Sequence, residues 1–295
     1  MPLAIESSPF RAFHTSQTRY KLRNAVPEPA FEGAPVSKLK RLLVYLWAPV
    51  ANLLWYVYTV LIGIISLALW PFDRGGRMQH SCARAWSLLN AWTIGARLKV
   101  SGQERLSPQG CYVYMANHAS LIDIPALFAC LPYRFHIMAK RELFYVPFLG
   151  WHLRAAGHFA IDRSDSRKTA RSIRRVVLAL REGRSLAVFP EGTRSADGRL
   201  KEFKPGAFKI ALRARAVIVP VTIRGAHELL PKGSLTPRPG RVDVIIGEPI
   251  ETAGYSEAHL PELIARTRQA IMKNLLEPAL TERKEAGLTA PSSGR

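Results

Sequence analysis

From Leu42 to Trp70 the chain reads LLVYLWAPVANLLWYVYTVLIGIISLALW, a run with no charge in which Asn52, Thr59 and Ser66 are the markedly polar positions. About 20 apolar residues cross a hydrocarbon core as helix, so the run predicts a membrane helix, which Pro49 kinks or begins. Its Trp and Tyr side chains suit the interface. The competing reading is a buried core helix, which seldom keeps so long a stretch free of charge. Beyond it, short apolar runs alternate with amphipathic ones. LKVSG and CYVYMA predict strands, residues 121–131 a helix, and FHIMAK and HFAID strands. Residues 165–182 predict a helix, SLAVFP a strand, residues 206–214 a helix, VIVPVTI and RVDVIIG strands, and residues 257–276 a closing helix. That alternation is the pattern of one α/β domain.

Four regions follow. Residues 1–37 are rich in Pro, Ser, Thr and Arg without sustained period and predict a poorly ordered tail. The tail lacks an apolar signal core, and Glu6, Glu28 and Glu32 argue against a transit peptide despite Arg11, Arg19, Lys21 and Arg23. Residues 38–74 form the membrane-anchoring segment, 75–278 the α/β domain and 279–295 a flexible tail. Lys38, Lys40 and Arg41 before the apolar run balance Arg74, Arg77 and Arg84 after it, so flanking charge fixes no orientation. A single span and a hairpin or monotopic segment both fit.

Charge narrows the partners. Lys and Arg number 42 against 22 Asp and Glu, a formal charge of +20, which calls for an anionic partner. The basic residues are spread along the chain without a helix-turn-helix, zinc-finger or RNA-recognition signature, so the apolar segment tips the choice from nucleic acid to an anionic membrane surface. Cys82, Cys111 and Cys130 stand too far apart for a zinc or redox motif, and no metal site is expected.

Candidate chemistry lies at predicted strand ends, where open α/β sheets bind ligands. NHASLID, residues 117–123, follows CYVYMA and opens a helix, with His118 at the turn and Asp123 along it. A carboxylate on one ring nitrogen fixes the tautomer and leaves the other to take a proton. In GHFAIDR, residues 157–163, a strand ends on Arg163, a bidentate phosphate ligand by geometry. FPEGTR, residues 189–194, turns on Pro190 and Gly192, with Arg194 for a phosphate, Glu191 as acceptor for a substrate hydroxyl and Thr193 adding its own hydroxyl. Lys204 precedes a helix N-terminus, a second anion-favouring place, and Lys140 after FHIM is a further phosphate candidate. Pro220 within VPVTI implies an edge, a bulge or an unpaired N–H. Neither a G-x-S-x-G elbow nor H-E-x-x-H nor a Walker A string occurs, which leaves acyl-serine, zinc-hydrolase and nucleotide-hydrolysis readings without support.

NHASLID, GHFAIDR, FPEGTR and VPV, in this order, resemble the four motifs of the glycerolipid acyltransferase family over roughly residues 75–275. The resemblance implies a single mixed-sheet α/β acyltransferase domain flanked by helices, tethered by an N-terminal hydrophobic membrane helix or helical hairpin. It implies His118 and Asp123 as the catalytic pair, with Asn117, Lys140, Arg163, Glu191, Gly192, Thr193 and Arg194 around the acceptor. The expected reaction passes an acyl group from acyl-CoA or acyl carrier protein, a co-substrate rather than a cofactor, to the sn-2 hydroxyl of 1-acyl-glycerol-3-phosphate, giving phosphatidic acid. Backbone N–H groups near Asn117 or the following helix start are oxyanion candidates. Glycerol-3-phosphate, another lysophospholipid or a lyso-ornithine lipid are alternative acceptors, and a thioester hydrolase is the alternative reaction. The expected location is a bacterial inner membrane, with the catalytic domain on the cytoplasmic face.

Overall fold

The computed structural model describes residues 38–73, 75–162 and 166–276; both predicted tails, Arg74 and Arg163 lie outside them. The apolar run is one continuous helix, α1 (Lys38–Leu69), which passes through Pro49 unbroken. Met1–Leu42 and Leu43–Arg295 form separate units, and of the first only the opening of α1 is described.

The three polar residues of the run all turn inward. Asn52 Nδ2 donates to the Leu235 carbonyl at 2.7 Å, Thr59 Oγ1 accepts from Trp86 Nε1 at 3.1 Å, and Ser66 Oγ lies 2.7 Å from His152 Nδ1. The other side of α1 leaves Leu46, Leu53, Tyr56, Leu61, Ile64 and Ile65 exposed. From Leu42 to Leu69 the mean hydropathy is 1.9, and only 17% of the most apolar window is buried, so α1 is long and apolar enough to cross a membrane and is not a core helix.

A second helix, α2 (Arg77–Thr93), was not separated from its surroundings by the sequence pattern. It runs back along α1: Thr93 accepts from Trp47 through its carbonyl, Trp86 meets Thr59, and Gln79 Nε2 donates to the Ser66 carbonyl at 3.3 Å. The Trp55 and Trp86 rings pack edge to face at 5.1 Å. The observed element is therefore an antiparallel helix pair in which only α1 has membrane length. At Gly63 an added Cβ would stand 3.0 Å from the Phe148 Cβ, so glycine there lets α1 pack closely against Phe148.

Seven strands form one sheet: β1 (Ala96–Ser101), β2 (Tyr112–Ala116), β3 (His136–Lys140), β4 (Phe159–Ile161), β5 (Leu186–Val188), β6 (Val217–Arg224) and β7 (Gly240–Ile246), in the order β1-β7-β6-β2-β5-β3-β4. Every neighbouring pair is parallel except β6 with β7, which makes the sheet mixed. β2 lies in the interior and is buried at every position, so it reads as a continuous apolar run. Its period of two sends Tyr112 and Tyr114 to one face and Val113 and Met115 to the other. On the first face they join Leu127, Phe128 and Phe135, with Ala83 of α2 and the helix α3 (Asp123–Cys130). On the second they meet Val176 and Leu180 of α5 (Ser166–Arg181), Phe208 of α6 (Pro205–Ala214) and Leu263 and Ile271 of α8 (Leu260–Leu276), while two short helices, α4 (Leu149–Ala155) and α7 (Ala226–Leu229), complete the set. Each such side chain, fully buried, contributes about 1.5–3 kcal/mol.

Pro220 meets the last of its three expected roles, a position whose N–H needs no partner. It sits in β6, between β7 and β2, rather than on an edge. The ladder to β7 starts only at Val221, so the missing N–H falls where that partner has ended and the proline costs no bond there.

Candidate active site

Register brings the two strongest motifs together. β2 and β5 run parallel with Met115 opposite Val188, so the residues three further on, His118 and Glu191, leave the sheet side by side. Glu191 Oε1 accepts from the His118 amide at 2.7 Å, and the Ser195 amide donates to the His118 carbonyl at 2.8 Å. The turn after β2 and the turn after β5 are thus bolted to each other through their backbones.

Asp123, at the first position of α3, is fully buried, and its Oδ2 takes three donors: His118 Nδ1 at 2.7 Å, the Ala119 amide at 2.7 Å and the Ser120 amide at 2.8 Å. With the carboxylate holding a proton on Nδ1, Nε2 is left as the basic nitrogen. The His118 ring stacks on Phe189 at 3.9 Å between centroids and 15° between planes, which sets its orientation. Its side chain stays 15% exposed while that of Asp123 is 1% exposed, so the base reaches solvent and its orienter does not.

Glu191 takes a different place from the hydroxyl acceptor expected of it. It is 2% exposed, its second oxygen accepts from the Lys201 amide at 3.2 Å, and it supports the site from beneath. Burial pushes its carboxyl above the ordinary value, and the amides of His118 and Lys201 pull against that rise. Asn117 is likewise occupied: its Oδ1 accepts from the Ile223 amide at 2.7 Å and its Nδ2 donates to the Ile223 carbonyl at 2.8 Å, stapling the end of β2 to β6 instead of facing a substrate. The turn's amides are committed as well, His118 to Glu191, Ala119 and Ser120 to Asp123, and Ile122 to Ser120 Oγ, which removes these four from the oxyanion candidates.

Gly192 adopts φ +77°, a left-handed conformation natural to glycine, and a Cβ there would stand 3.3 Å from Cδ and Cε of Lys204. Lys204 is pinned by its own amide, which donates to the Pro190 carbonyl at 2.9 Å, so its side chain runs along the turn. Thr193 is exposed and Arg194 half-buried. The Arg194 carbonyl accepts from Lys232 Nζ at 3.2 Å, and among the described residues its guanidinium has no hydrogen-bond or ion-pair partner. Two cations therefore stand on the turn joined to His118. Lys140 lies exposed at the end of β3, two strands from β2, and Arg163 is outside the described residues.

Sequence reasoning missed three participants. Phe189 belongs to the FPEGTR motif but has no role in the sequence reading, and Ser195, whose Oγ donates to Asp197 Oδ1 at 2.6 Å, directly follows the motif. His227 of α7, with Nδ1 3.4 Å from the Ala119 carbonyl, had no signal in the sequence.

Comparison with known proteins gives a consistent result. An acyltransferase family model matches residues 97–224. The chain is 30% identical over 259 residues to a 1-acyl-sn-glycerol-3-phosphate acyltransferase of Chlamydomonas reinhardtii, covering 85% of this chain and 75% of that one. It is 35% identical over 217 residues to the enzyme of that name from Cocos nucifera, covering 70% and 68%. The crystal structure of the 1-acyl-sn-glycerophosphate (LPA) acyltransferase PlsC from Thermotoga maritima superposes with a TM-score of 0.71 at 25% identity, over 85% of this chain and 99% of the other.

Proposed function

Because the chain belongs to the 1-acyl-sn-glycerol-3-phosphate acyltransferase family, we propose that it transfers a fatty acyl group from a thioester donor to the sn-2 hydroxyl of lysophosphatidic acid, yielding phosphatidic acid. The observation that carries this reading is the buried Asp123–His118 pair at 2.7 Å, on a turn whose backbone is bonded to Glu191 of the cationic turn.

His118 Nε2 takes the proton of the acceptor hydroxyl as its oxygen attacks the thioester carbonyl. Asp123 stabilises the imidazolium that forms. When the tetrahedral intermediate collapses, the C–S bond breaks and His118 returns the proton to the departing thiolate, leaving an ester and a free thiol. Arg194 and Lys204 hold the acceptor phosphate by charge-assisted hydrogen bonds, with Thr193 and the side-chain-free Gly192 beside it. Lys140 and Arg163, phosphate ligands by type, add positive charge that favours both anionic substrates. Ile122, Ala119 and their neighbours fix the turn without touching substrate.

The acceptor lives in a bilayer, and the exposed apolar side of α1 suits insertion there. We assign the protein to a membrane, the bacterial inner membrane with the catalytic domain facing the cytoplasm, where both acyl-CoA and acyl carrier protein are available. The net charge of +20 favours the anionic surface and both anionic substrates.

The test is purified protein with radiolabelled palmitoyl thioester and a panel of acceptors: lysophosphatidic acid, glycerol-3-phosphate, lysophosphatidylethanolamine and lyso-ornithine lipid. Labelled phosphatidic acid as the dominant product is expected. Dominant transfer to another acceptor, or release of free fatty acid independent of acceptor, overturns the assignment.

A further inference from the structure

A cavity of about 370 Å³ opens at the β4 edge of the sheet, away from the turn that carries Arg194. Three arginines from three elements line it: Arg141 after β3, Arg154 of α4 and Arg175 of α5, with Tyr145, Phe159 and Ser172 between them. Arg141 and Arg154 both lie over the Tyr145 ring, their guanidinium carbons 5.7 and 5.8 Å from its centroid, and Arg141 Nε donates to the Tyr145 hydroxyl at 2.9 Å. Arg141 pairs with Asp162 at 2.7 Å, but among the described residues neither Arg154 nor Arg175 has a carboxylate partner. Like charges gathered around one opening repel each other until an anion enters. The shared aromatic ring holds two of them in place by cation–π attraction meanwhile.

We infer that this cavity receives the phosphates at the far end of the donor's phosphopantetheine arm. The inference rests on the acyl-transfer reading above and names the place of its second substrate. Distance selects donor over acceptor. In lysophosphatidic acid the reacting hydroxyl and the phosphate are separated by roughly four bonds of ~1.5 Å, so that phosphate stays within roughly 5 Å of the reaction and falls to Arg194 and Lys204. Arg141 ends the strand two places from β2, and β4 is three places away, which at ~4.8 Å per strand puts the cavity ~10–14 Å from His118 along the sheet edge. A pantetheine arm has a backbone comparable to about four extended residues and spans ~14 Å at ~3.5 Å each. Its thioester reaches His118 while its phosphates lie among the three arginines. Fork-shaped guanidiniums suit a phosphate better than lysines do, and the Ser172 hydroxyl supplies a neutral donor beside them.

The closing experiment compares wild type with Arg154→Ala/Arg175→Ala and Arg154→Lys/Arg175→Lys, using palmitoyl-CoA and palmitoyl acyl carrier protein in turn. Both positions are exposed, so the fold is retained, checked by an unchanged melting temperature. The alanine pair is expected to raise the KM of the donor roughly ten- to hundredfold, with the KM of lysophosphatidic acid within about twofold and partial recovery in the lysine pair. A rise for both donors assigns the arm's own phosphate, and a rise for palmitoyl-CoA alone assigns the nucleotide phosphates. A rise in the KM of lysophosphatidic acid with donor KM unchanged, or no change in either, overturns the inference. Calorimetric titration with CoA and no acceptor reads the same cavity independently: weaker binding in the alanine pair supports the inference and equal binding refutes it. A wild type that binds CoA through these arginines yet transfers nothing to lysophosphatidic acid refutes the proposed function and leaves the cavity's assignment standing.

Discussion

Replacing Asp123 with Asn isolates the orienting carboxylate with almost no change of volume. In the native site one oxygen accepts three hydrogen bonds, from His118 Nδ1, the Ala119 amide and the Ser120 amide, in a position closed to water. Because all three donors meet one oxygen, the asparagine either keeps its oxygen there without the charge that stabilises an imidazolium, or turns its NH2 there, which opposes the two amides and puts the proton on Nε2; either arrangement weakens the base. Losing charge assistance across this buried cluster destabilises the protein by about 1.5–3 kcal/mol. Catalysis loses more: where an aspartate orients a histidine base, the change to asparagine costs ~10⁴ in kcat, ~5.5 kcal/mol at ~1.4 kcal/mol per decade. The assay is acceptor-dependent thiol release from palmitoyl-CoA, with circular dichroism to confirm folding. KM values for both substrates should move by a few-fold at most. A folded Asp123→Asn protein retaining more than a tenth of wild-type kcat would refute the assignment of Asp123 as orienter.

Arg194→Ala should lower kcat/KM for lysophosphatidic acid by roughly ten- to hundredfold, and Arg194→Lys should recover part of it; equal kinetics in all three proteins would remove Arg194 from the acceptor site. Asn117→Ala leaves the amide and carbonyl of Ile223 without partners in a buried place and should cost about 2–4 kcal/mol in urea unfolding, whereas an unchanged midpoint would show the staple to be dispensable. Burial drives the His136 and His152 imidazoles down from 6.5 to about 4, so the unfolded chain binds protons that the folded one refuses. Their contribution is therefore present above pH 6.5 and lost as pH falls toward 4, by at most about 3 kcal/mol each, and His136→Phe should flatten the fall in melting temperature across that window. Removal of residues 1–69 should release the protein from membranes into the soluble fraction; continued tight sedimentation with vesicles would show that α1 is not the anchor.

Much of the fold was legible because its elements sit where period and punctuation agree. The 165–182 prediction became Ser166–Arg181, and within SLAVFP and CYVYMA lie β5 and β2, because apolar faces of period 3.6 and buried runs leave a clear imprint. α2 was not legible: Trp86 and Gln79 are explained by α1, whose Thr59, Ser66 and Trp55 they meet, and His80 by the Phe128 and Phe135 rings it packs on. Within the site, the His118–Asp123 pair is local in sequence and could be read as such. Glu191 and Asn117 lie in the same motifs, but their bonds reach across the sheet to His118 and Ile223, and no single motif says whether a polar side chain faces a ligand or a backbone 73 or 106 residues away. Both positions serve the architecture of the turn, and motif membership does not distinguish that role from substrate contact.

The most direct measurement is single-turnover formation of labelled phosphatidic acid from palmitoyl-CoA and lysophosphatidic acid by wild type and His118→Ala, each shown to be folded and membrane-bound. The account predicts rapid product with the native imidazole and a loss of a thousandfold or more without it. Equal rates in the two proteins would contradict it, because no other group described at the junction of the two turns stands ready to take the acceptor's proton.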